Sequence, residues 1–117
     1  MKKILVADDE MAIRLLYSEE LKEEGYEVYV AANGQEALEV VDKIPLDLVI
    51  LDIKMPEMDG IEALRQIKEK RPDLPVLLST AYGEYKQDFA TWASDEYLVK
   101  SSDLDDLKAA VRRHLRE

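Results

Sequence analysis

Five short apolar runs recur along the chain, and each is separated from the next by a longer stretch of mixed polar and apolar residues. The run from Ile4 to Ala7 is continuous and apolar, which is typical of a strand covered on both faces of a sheet. The other four runs are equally short and are rich in Val, Leu and Ile. Together they predict five strands, at residues 4–7, 28–31, 48–51, 76–79 and 97–99.

The intervening stretches carry apolar residues at the three- and four-residue spacing of helices. Gly25 is placed to end the first helix, and Ser102-x-x-Asp105 has the form of a capping box at the start of the last one. One further helix, with a polar and aromatic composition, is expected within residues 84–93. The other four are predicted from apolar faces formed by Ile13, Leu16, Tyr17 and Leu21, by Ala37, Leu38 and Val41, by Ile61, Leu64 and Ile67, and by Leu104, Leu107, Val111 and Leu115.

Strict alternation of strands and helices predicts a doubly wound α/β fold, with parallel strands joined by right-handed crossovers and helices on both faces of the sheet. Residues 1–117 contain no linker, repeat or low-complexity segment, and the last helical pattern ends with the chain. We therefore expect a single domain over residues 1–117.

Composition narrows the possible functions. The sequence has no cysteine, which excludes disulfides, thiolate catalysis and cysteine zinc sites. Its formal net charge of −10 disfavours nucleic-acid binding and is better suited to protein partners or a cation. No apolar run approaches the ~18 residues of a membrane span, and the run after Met1-Lys2-Lys3 is too short for a signal peptide. We expect a cytoplasmic protein with no membrane contact.

Polar side chains follow four of the five predicted strands. Asp8 and Asp9 come directly after the first strand, and Asp52 comes after the third. Thr80 follows the fourth strand and Lys100 follows the fifth. Parallel strands end at a common edge, and doubly wound sheets bind their ligands there. We therefore expect these five side chains to form one site.

The expected site holds three carboxylates, a hydroxyl and an ammonium group. Crowded carboxylates repel one another unless a cation lies between them, and Mg²⁺ prefers such hard oxygen ligands, with Mn²⁺ as an alternative. A carboxylate can act as a nucleophile and form an aspartyl phosphate. Lys100 and Thr80 would then stabilise the oxygens of the transferred phosphoryl group. This set of groups predicts phosphoryl transfer to Asp52.

Four segments of the chain resemble the receiver domains of response regulators in two-component signalling, the CheY-like family. The resemblance covers essentially the whole chain, and the segment around Asp52 is specific on its own. It implies a flavodoxin-like fold, with a five-stranded parallel sheet in the order 2-1-3-4-5 and five helices. The four segments are ILVADDE at residues 4–10, LDIKMPEMDG at residues 51–60, STA at residues 79–81 and DEYLVK at residues 95–100.

The resemblance implies a role for each acidic residue of the site. Asp52 would accept the phosphoryl group. Asp9, Asp52 and the backbone carbonyl of Lys54 would bind Mg²⁺ directly. Asp8 would act mainly through a bound water.

The resemblance also assigns a switch and the residues that tune it. Thr80 would hydrogen-bond the phosphoryl oxygens, and Lys100 would pair with them. Tyr97 would be the switch aromatic, which turns inward as Thr80 moves toward the phosphoryl group. Lys54 and Tyr82 would modulate the loss of the phosphoryl group, because their bulk is expected to hinder the attacking water and lengthen the phosphorylated lifetime.

The implied partners are a histidine kinase or a histidine phosphotransfer protein as donor, and a protein target that reads the last two helices and the fifth strand. The chain would catalyse only its own phosphorylation and dephosphorylation, so it is not expected to be an enzyme in the usual sense. A monomer or a weak homodimer is expected. Three outputs remain open: direct binding of a target, transfer of the phosphoryl group onward in a phosphorelay, or control of a longer regulator of which this chain is a fragment.

Two positions depart from the family pattern. Ser101 follows Lys100 where the family usually has proline joined by a cis peptide bond. A trans bond is expected here, because a cis bond before a residue other than proline costs ~2.5–4 kcal/mol. Ala93-Ser94 precede Asp95 where the family usually has Gly-Ala, so the helix before Asp95 is expected to end irregularly.

Other functions fit the residues less well. A haloacid-dehalogenase-like phosphatase needs a second Asp two residues after the nucleophile, where Lys54 stands. A flavodoxin-like electron carrier needs a Ser-, Thr- and Gly-rich loop after the first strand, and Asp8-Asp9-Glu10 would repel a phosphate there. A receiver-shaped scaffold that is never phosphorylated would not need the complete set of site residues. Asp8 and Asp9 could also cap the first helix. His114 is expected to be structural, because it lies in the last turn of a helix, where the helix dipole favours a cation.

Overall fold

Five strands form one parallel sheet in the computed structural model, which describes residues 1–53, 55–80, 94–100 and 104–115, with backbone alone at Thr80 and Val99. The strands are β1 (Lys3–Ala7), β2 (Glu27–Ala31), β3 (Leu48–Leu51), β4 (Val76–Thr80) and β5 (Glu96–Val99). Their order in the sheet is β2-β1-β3-β4-β5. The predicted parallel sheet and its strand order are therefore confirmed.

Four helices lie in the described ranges: α1 (Met11–Glu23), α2 (Gly34–Lys43), α3 (Gly60–Lys70) and α4 (Asp105–Leu115). The predicted helix within residues 84–93, and Ser102 of the predicted capping box, lie outside the described residues. Gly25 follows the end of α1 with φ of 99°, a backbone conformation that favours glycine, as its predicted place at a helix end requires.

Side-chain caps begin two of the helices. The Oδ1 atom of Asn33 accepts a hydrogen bond from the backbone N of Glu36 at 2.8 Å, at the start of α2. The Oδ1 atom of Asp59 accepts one from the backbone N of Glu62 at 2.9 Å, at the start of α3. A cap of this kind contributes about 1 kcal/mol, so the first turns of both helices are well anchored.

The sheet separates two apolar layers. On one side α2 and α3 cover it, with Leu38, Val41, Leu64 and Ile67 packed against Leu5, Val49 and Leu78. On the other side α1 and α4 cover it, with Tyr17, Leu21, Leu107 and Val111 packed against Ile4, Val6 and Leu77. Each such aliphatic side chain contributes about 1.5–3 kcal/mol when fully buried. The two layers therefore support the sheet from both faces, up to the edge where the strands end.

One prediction about α1 is wrong in its detail. Leu16 stands three residues after Ile13 in the predicted apolar face of α1, but it is 40 % exposed, and Leu15 is 55 % exposed. Helical spacing alone does not say how wide a stripe of the helix the sheet covers.

None of the helices in the described ranges combines the length and the apolarity needed to cross a membrane.

Candidate functional site

The carboxyl ends of β1 and β3 lie side by side. Ala7 pairs with Leu51 across the two strands, and the backbone N of Asp52 donates a hydrogen bond to the carbonyl oxygen of Ala7 at 2.9 Å. Asp8 and Asp52 therefore leave the sheet together, each one residue beyond this pair. Both are buried, with 2 % and 5 % of their surfaces exposed.

Lys100 follows β5 and reaches across to these carboxylates. Its Nζ atom lies 2.6 Å from Oδ2 of Asp8, 3.5 Å from Oδ2 of Asp52 and 3.9 Å from Oε1 of Glu10. The side chain of Lys100 is 11 % exposed, so its charge depends on these carboxylates for compensation. The structure thus brings Asp8, Asp52 and Lys100 together at the edge where the sequence places them.

The turn after β1 is held by hydrogen bonds to Asp8. Its backbone N donates to the carbonyl oxygen of Ala31 at 3.0 Å, its Oδ1 accepts from the backbone N of Glu10 at 2.9 Å, and its carbonyl oxygen accepts from Nη1 of Arg14 at 2.7 Å. The N-cap position of α1 is Glu10, which makes no side-chain cap bond. Capping therefore does not explain Asp8. Arg14 is not among the predicted site residues, because a basic residue in the first turns of a helix is ordinary.

Three carboxylates cluster on this turn. One oxygen each of Asp8, Asp9 and Glu10 lies within 4.8 Å of the others, and Asp9 and Glu10 are exposed whereas Asp8 is buried. Anionic oxygens that face water on one side fit Mg²⁺, which keeps part of its hydration shell when bound to protein. Glu10 was not among the predicted ligands, since its place beside the acidic pair depends on how the turn folds.

Burial and crowding set the charges of the site. Burial of Asp52, and then repulsion from Asp8, raise the pKa of Asp52 to about 6, although Lys100 acts in the opposite direction. Burial of Lys100 opposes its charge, but the hydrogen bond to Asp8 and the attraction of Asp52 outweigh that effect and raise the pKa of Lys100. Near pH 7 the site therefore holds an ionised carboxylate beside a protonated amine.

The start of α3 packs closely against the backbone of Asp52 and Ile53. The backbone N of Gly60 donates to the carbonyl oxygen of Ile53 at 2.7 Å. A Cβ atom at Gly60 would overlap the carbonyl oxygen of Asp52. Only glycine permits so close an approach of the two backbones, and this explains the Asp59-Gly60 pair at the end of the motif around Asp52.

The two residues predicted to form the switch belong to β4 and β5, at one side of the sheet. Tyr97 of β5 pairs with Leu78 of β4, and its partly buried ring packs against the apolar layer beneath α2 and α3. The backbone of Thr80 ends β4 in register with Val99. Four other predicted features lie outside what the structure describes: the side chain of Thr80, Lys54, Tyr82 and the Lys100–Ser101 bond.

Asp95 anchors the start of β5. Its Oδ2 atom accepts hydrogen bonds from the backbone N of Val76 at 2.7 Å and from Nζ of Lys68 at 2.8 Å. Its backbone N donates to the carbonyl oxygen of Val76 at 2.8 Å, and Lys68 also donates to the carbonyl oxygen of Leu74 at 2.8 Å. The alignment of β5 beside β4 is thus held at the end of the strand opposite Lys100.

The C-terminal end of α4 is also bound to the start of β5. Nε2 of His114 lies 2.9 Å from Oε1 of Glu96, and Nη2 of Arg113 lies 2.5 Å from Oε2 of Glu96. His114 therefore contacts β5 and does not face the acidic cluster.

The model of the response regulator receiver domain matches residues 4–112. The chain belongs to this family, and it is the receiver domain of a two-component response regulator. The family, the fold and this general function were all predicted from the sequence, and the comparison confirms them.

Individual relatives show how far the similarity extends. The chain is 40 % identical to sporulation initiation phosphotransferase F of Bacillus subtilis, over 97 % of this chain and 94 % of that protein. It is 38 % identical to the regulatory protein AtoC of Escherichia coli over 98 % of this chain, but it spans only 25 % of that protein.

Solved structures agree with this assignment. The response regulator TrrA of Thermotoga maritima, in complex with Mg²⁺-BeF, is 50 % identical over 98 % of this chain and 100 % of that one, with a TM-score of 0.96. TrrA in complex with the histidine kinase ThkA, also 50 % identical, covers 98 % of this chain and 99 % of that one with a TM-score of 0.93.

Proposed function

We propose that this domain accepts a phosphoryl group on Asp52 from a phosphohistidine of a histidine kinase or of a histidine phosphotransfer protein. The observation that carries the proposal is the buried Asp52 carboxylate with the Lys100 ammonium at 3.5 Å, beside the oxygen cluster that begins at Asp8. Phosphoryl transfer to a carboxylate requires a positioned carboxylate nucleophile and a nearby cation that stabilises the phosphoryl oxygens.

The residues act in the following way. An ionised oxygen of Asp52 attacks the phosphorus, while the P–N bond of the donor breaks and its electron pair leaves with the imidazole. Lys100 moves from Asp8 toward the phosphoryl oxygens and neutralises part of their charge. Thr80 donates a hydrogen bond to one of these oxygens, and Tyr97 turns inward in response.

The acidic cluster fits a divalent cation. We propose that Asp8, Asp9, Asp52 and the backbone carbonyl of Lys54 hold Mg²⁺, with Mn²⁺ as an alternative. When bound, the ion supplies positive charge that offsets the carboxylates and the phosphoryl oxygens. The complex of TrrA with Mg²⁺-BeF supports this choice of metal.

An exposed apolar surface lies next to the site. Met11, Leu15 and Leu16 of α1 are 64 %, 55 % and 40 % exposed, and α1 begins directly after the acidic turn. Neighbouring exposed apolar side chains are typical of interaction surfaces. Since TrrA has been solved in complex with a histidine kinase, we propose that α1 contacts the donor.

This docking proposal has a direct test. Leu15→Asp is expected to slow phosphotransfer from the kinase at least about tenfold, because a charge would be desolvated in the interface, while phosphorylation by acetyl phosphate stays unchanged. Gln35→Asp is the control, since Gln35 is also exposed but lies on α2, which covers the opposite face of the sheet. Equal slowing by both variants would count against α1 as the docking element.

Three outputs remain open once Asp52 is phosphorylated. The domain presents its last two helices and β5 to a target protein, passes the phosphoryl group onward, or controls a longer regulator of which it is a part. Similarity over 94 % of sporulation initiation phosphotransferase F supports onward transfer, whereas the match to a quarter of AtoC supports control of a longer regulator. In each case, we propose that residues 1–117 act as one cytoplasmic domain that catalyses only its own phosphorylation and dephosphorylation.

Mass spectrometry after incubation with MgCl₂ and acetyl phosphate tests the role of Asp52. The parent is expected to gain one phosphoryl group and Asp52→Asn none. Asp47→Asn, at the opposite edge of the sheet, should still gain one. An unmodified parent, or a modified Asp52→Asn, would refute the assignment. A second measurement concerns Lys54 and Tyr82. We propose that these two side chains hinder the attacking water, so the double variant Lys54→Ala, Tyr82→Ala is expected to lose the phosphoryl group faster than the parent.

A further inference from the structure

The loop that leaves Asp52 is tightly closed at its far end. Its described part covers residues 55–60 and ends at Gly60, whose backbone N donates a hydrogen bond to the carbonyl oxygen of Ile53 at 2.7 Å. Within the loop, the backbone N of Met58 donates to the carbonyl oxygen of Pro56 at 2.8 Å. Between these two residues, Glu57 has φ of 68°, a left-handed conformation that costs free energy for any residue other than glycine. Such a conformation persists only where the surroundings hold it.

One of those surroundings is the first residue of α2. The backbone N of Gly34 donates a hydrogen bond to the carbonyl oxygen of Met58 at 3.1 Å. A Cβ atom at position 34 would overlap that oxygen, and it would lie 2.9 Å from Cβ of Met58. The obstacle is backbone and the root of a side chain, so it cannot move aside without moving the loop.

The first turn of α2 is itself rigidly held, so it can act as a fixed support. The Asn33 side chain caps the turn, and Oε1 of Glu36 accepts a hydrogen bond from the backbone N of Ala32 at 2.8 Å. These two hydrogen bonds fix the backbone before and after the start of α2. The first-turn N–H of Gly34, which has no partner within the helix, is thereby directed at Met58.

From these contacts we infer that Gly34 is a positioning residue for the loop between Asp52 and α3, beside the Mg²⁺ site of the proposed function. It acts through Met58, by allowing the end of α2 to approach the loop and by fixing one of its carbonyls. This inference rests on the proposed function, because the loop matters to phosphoryl transfer only if Asp52, from which it leaves, holds part of a Mg²⁺ site. Groups that orient metal-binding elements, without touching the metal, commonly change its affinity strongly.

Gly34→Ala tests the inference, with Gly25→Ala as the matched control. Gly25 has φ of 99° and no atom within 4 Å of its would-be Cβ, so its replacement strains the backbone without touching the site. The Kd for Mg²⁺ is measured from NMR shifts during titration with MgCl₂. Gly34→Ala is expected to raise this Kd about tenfold, and Gly25→Ala is expected to leave it unchanged although both variants lose stability.

A kinetic measurement separates positioning from general damage. In Gly34→Ala the MgCl₂ concentration that half-saturates phosphorylation by acetyl phosphate should rise with the Kd. The rate at saturating MgCl₂ should stay close to that of the parent. Should Gly34→Ala not fold, Asn33→Ala removes the cap of the same turn and is expected to raise the Kd a few-fold.

The outcomes distinguish this inference from the proposed function. An unchanged Kd in Gly34→Ala, or an equal change in Gly25→Ala, overturns the positioning role while the parent still binds Mg²⁺ and is phosphorylated. If Asn33→Ala is the variant measured, an unchanged Kd overturns it equally. A parent that neither binds Mg²⁺ nor gains a phosphoryl group overturns the proposed function and the inference together.

Discussion

At the scale of single residues, the site depends on how one lysine is shared between two buried carboxylates. Nζ of Lys100 is 2.6 Å from Asp8 and 3.5 Å from Asp52. Asp8 therefore receives most of the compensation, and Asp52 retains a raised pKa of about 6. The proposed nucleophile is thus compensated less closely by Lys100 than Asp8 is, and binding of a cation relieves that condition.

Replacement of the Asp52 carboxylate is expected to stabilise the metal-free protein. The folded-state pKa of about 6 lies above the ordinary value of 3.8, so ionisation of Asp52 opposes folding above pH 6, and this penalty fades as the pH falls toward 4. Asp52→Asn should raise the free energy of unfolding by about 1–3 kcal/mol at pH 7.5. Urea unfolding in EDTA at pH 7.5 and 4.5 measures it, and an equal gain at both values would contradict this origin.

Removal of the Lys100 ammonium is expected to have the opposite effect. Lys100→Ala leaves the carboxylate of Asp8, which is 3 % exposed, without its cation. Loss of one partner of a buried pair should lower the free energy of unfolding by about 3 kcal/mol, and phosphorylation should become slow without being abolished. Lys70→Ala is the control, because Lys70 pairs with Asp42 on the surface and should cost less than about 1 kcal/mol. Similar losses in the two variants would show that the buried pair contributes little.

At the scale of elements, the reach of Lys100 depends on the alignment of a four-residue strand. β5 lies at one end of the described sheet order and pairs only with β4. A shift of one residue would turn Tyr97 to the opposite face and withdraw Lys100 from Asp8. The hydrogen bonds of Asp95 to Val76 and Lys68 oppose such a shift at the distant end of the strand.

Asp95→Ala tests this anchor. The substitution leaves the backbone N of Val76 and the ammonium of Lys68 without a shared acceptor, which should lower the free energy of unfolding by about 1–3 kcal/mol. It should also slow phosphorylation of Asp52, because Lys100 is less well placed. Chemical denaturation and acetyl phosphate labelling measure the two effects, with Asp42→Ala as a surface control. Normal labelling of Asp95→Ala would show that the anchor serves stability alone.

At the scale of the whole molecule, the chain has an excess of negative charge, and part of it lies at the proposed Mg²⁺ site. The sequence has 26 acidic and 16 basic residues, and three of the acidic side chains meet on the turn after β1. The mutual repulsion of these groups opposes folding and favours binding of a divalent ion. Metal binding and folding stability should therefore be coupled.

Addition of MgCl₂ is expected to raise the Tm. A ligand that binds only the folded state at ten times its Kd stabilises it by about 1.4 kcal/mol. Asp9→Asn should abolish most of this gain without damage to the core, since Asp9 is exposed. Asp73→Asn, at the opposite edge of the sheet, should retain it. Differential scanning calorimetry with MgCl₂ and with EDTA provides the measurement, and a full gain in Asp9→Asn would exclude Asp9 as a ligand.

Much of this molecule is determined by local features of the sequence. Continuous apolar runs predict the strands, because a residue buried on either face of a central strand must be apolar. Asp8, Asp52 and Lys100 stand directly after such runs, so parallel pairing alone brings them to one edge. The bounds of the strands differ from the predicted ones by one residue at most.

The tertiary structure decided the contacts between segments that are distant in sequence. Leu16 lies outward because the sheet covers a narrower stripe of α1 than its apolar spacing indicates. Glu10 and Arg14 join the site through the shape of one turn. The approach of Gly34 to Met58 depends on how two loops meet in space. Local hydrophobic pattern determines which elements form, whereas backbone approach and side-chain reach between elements depend on packing of the whole fold.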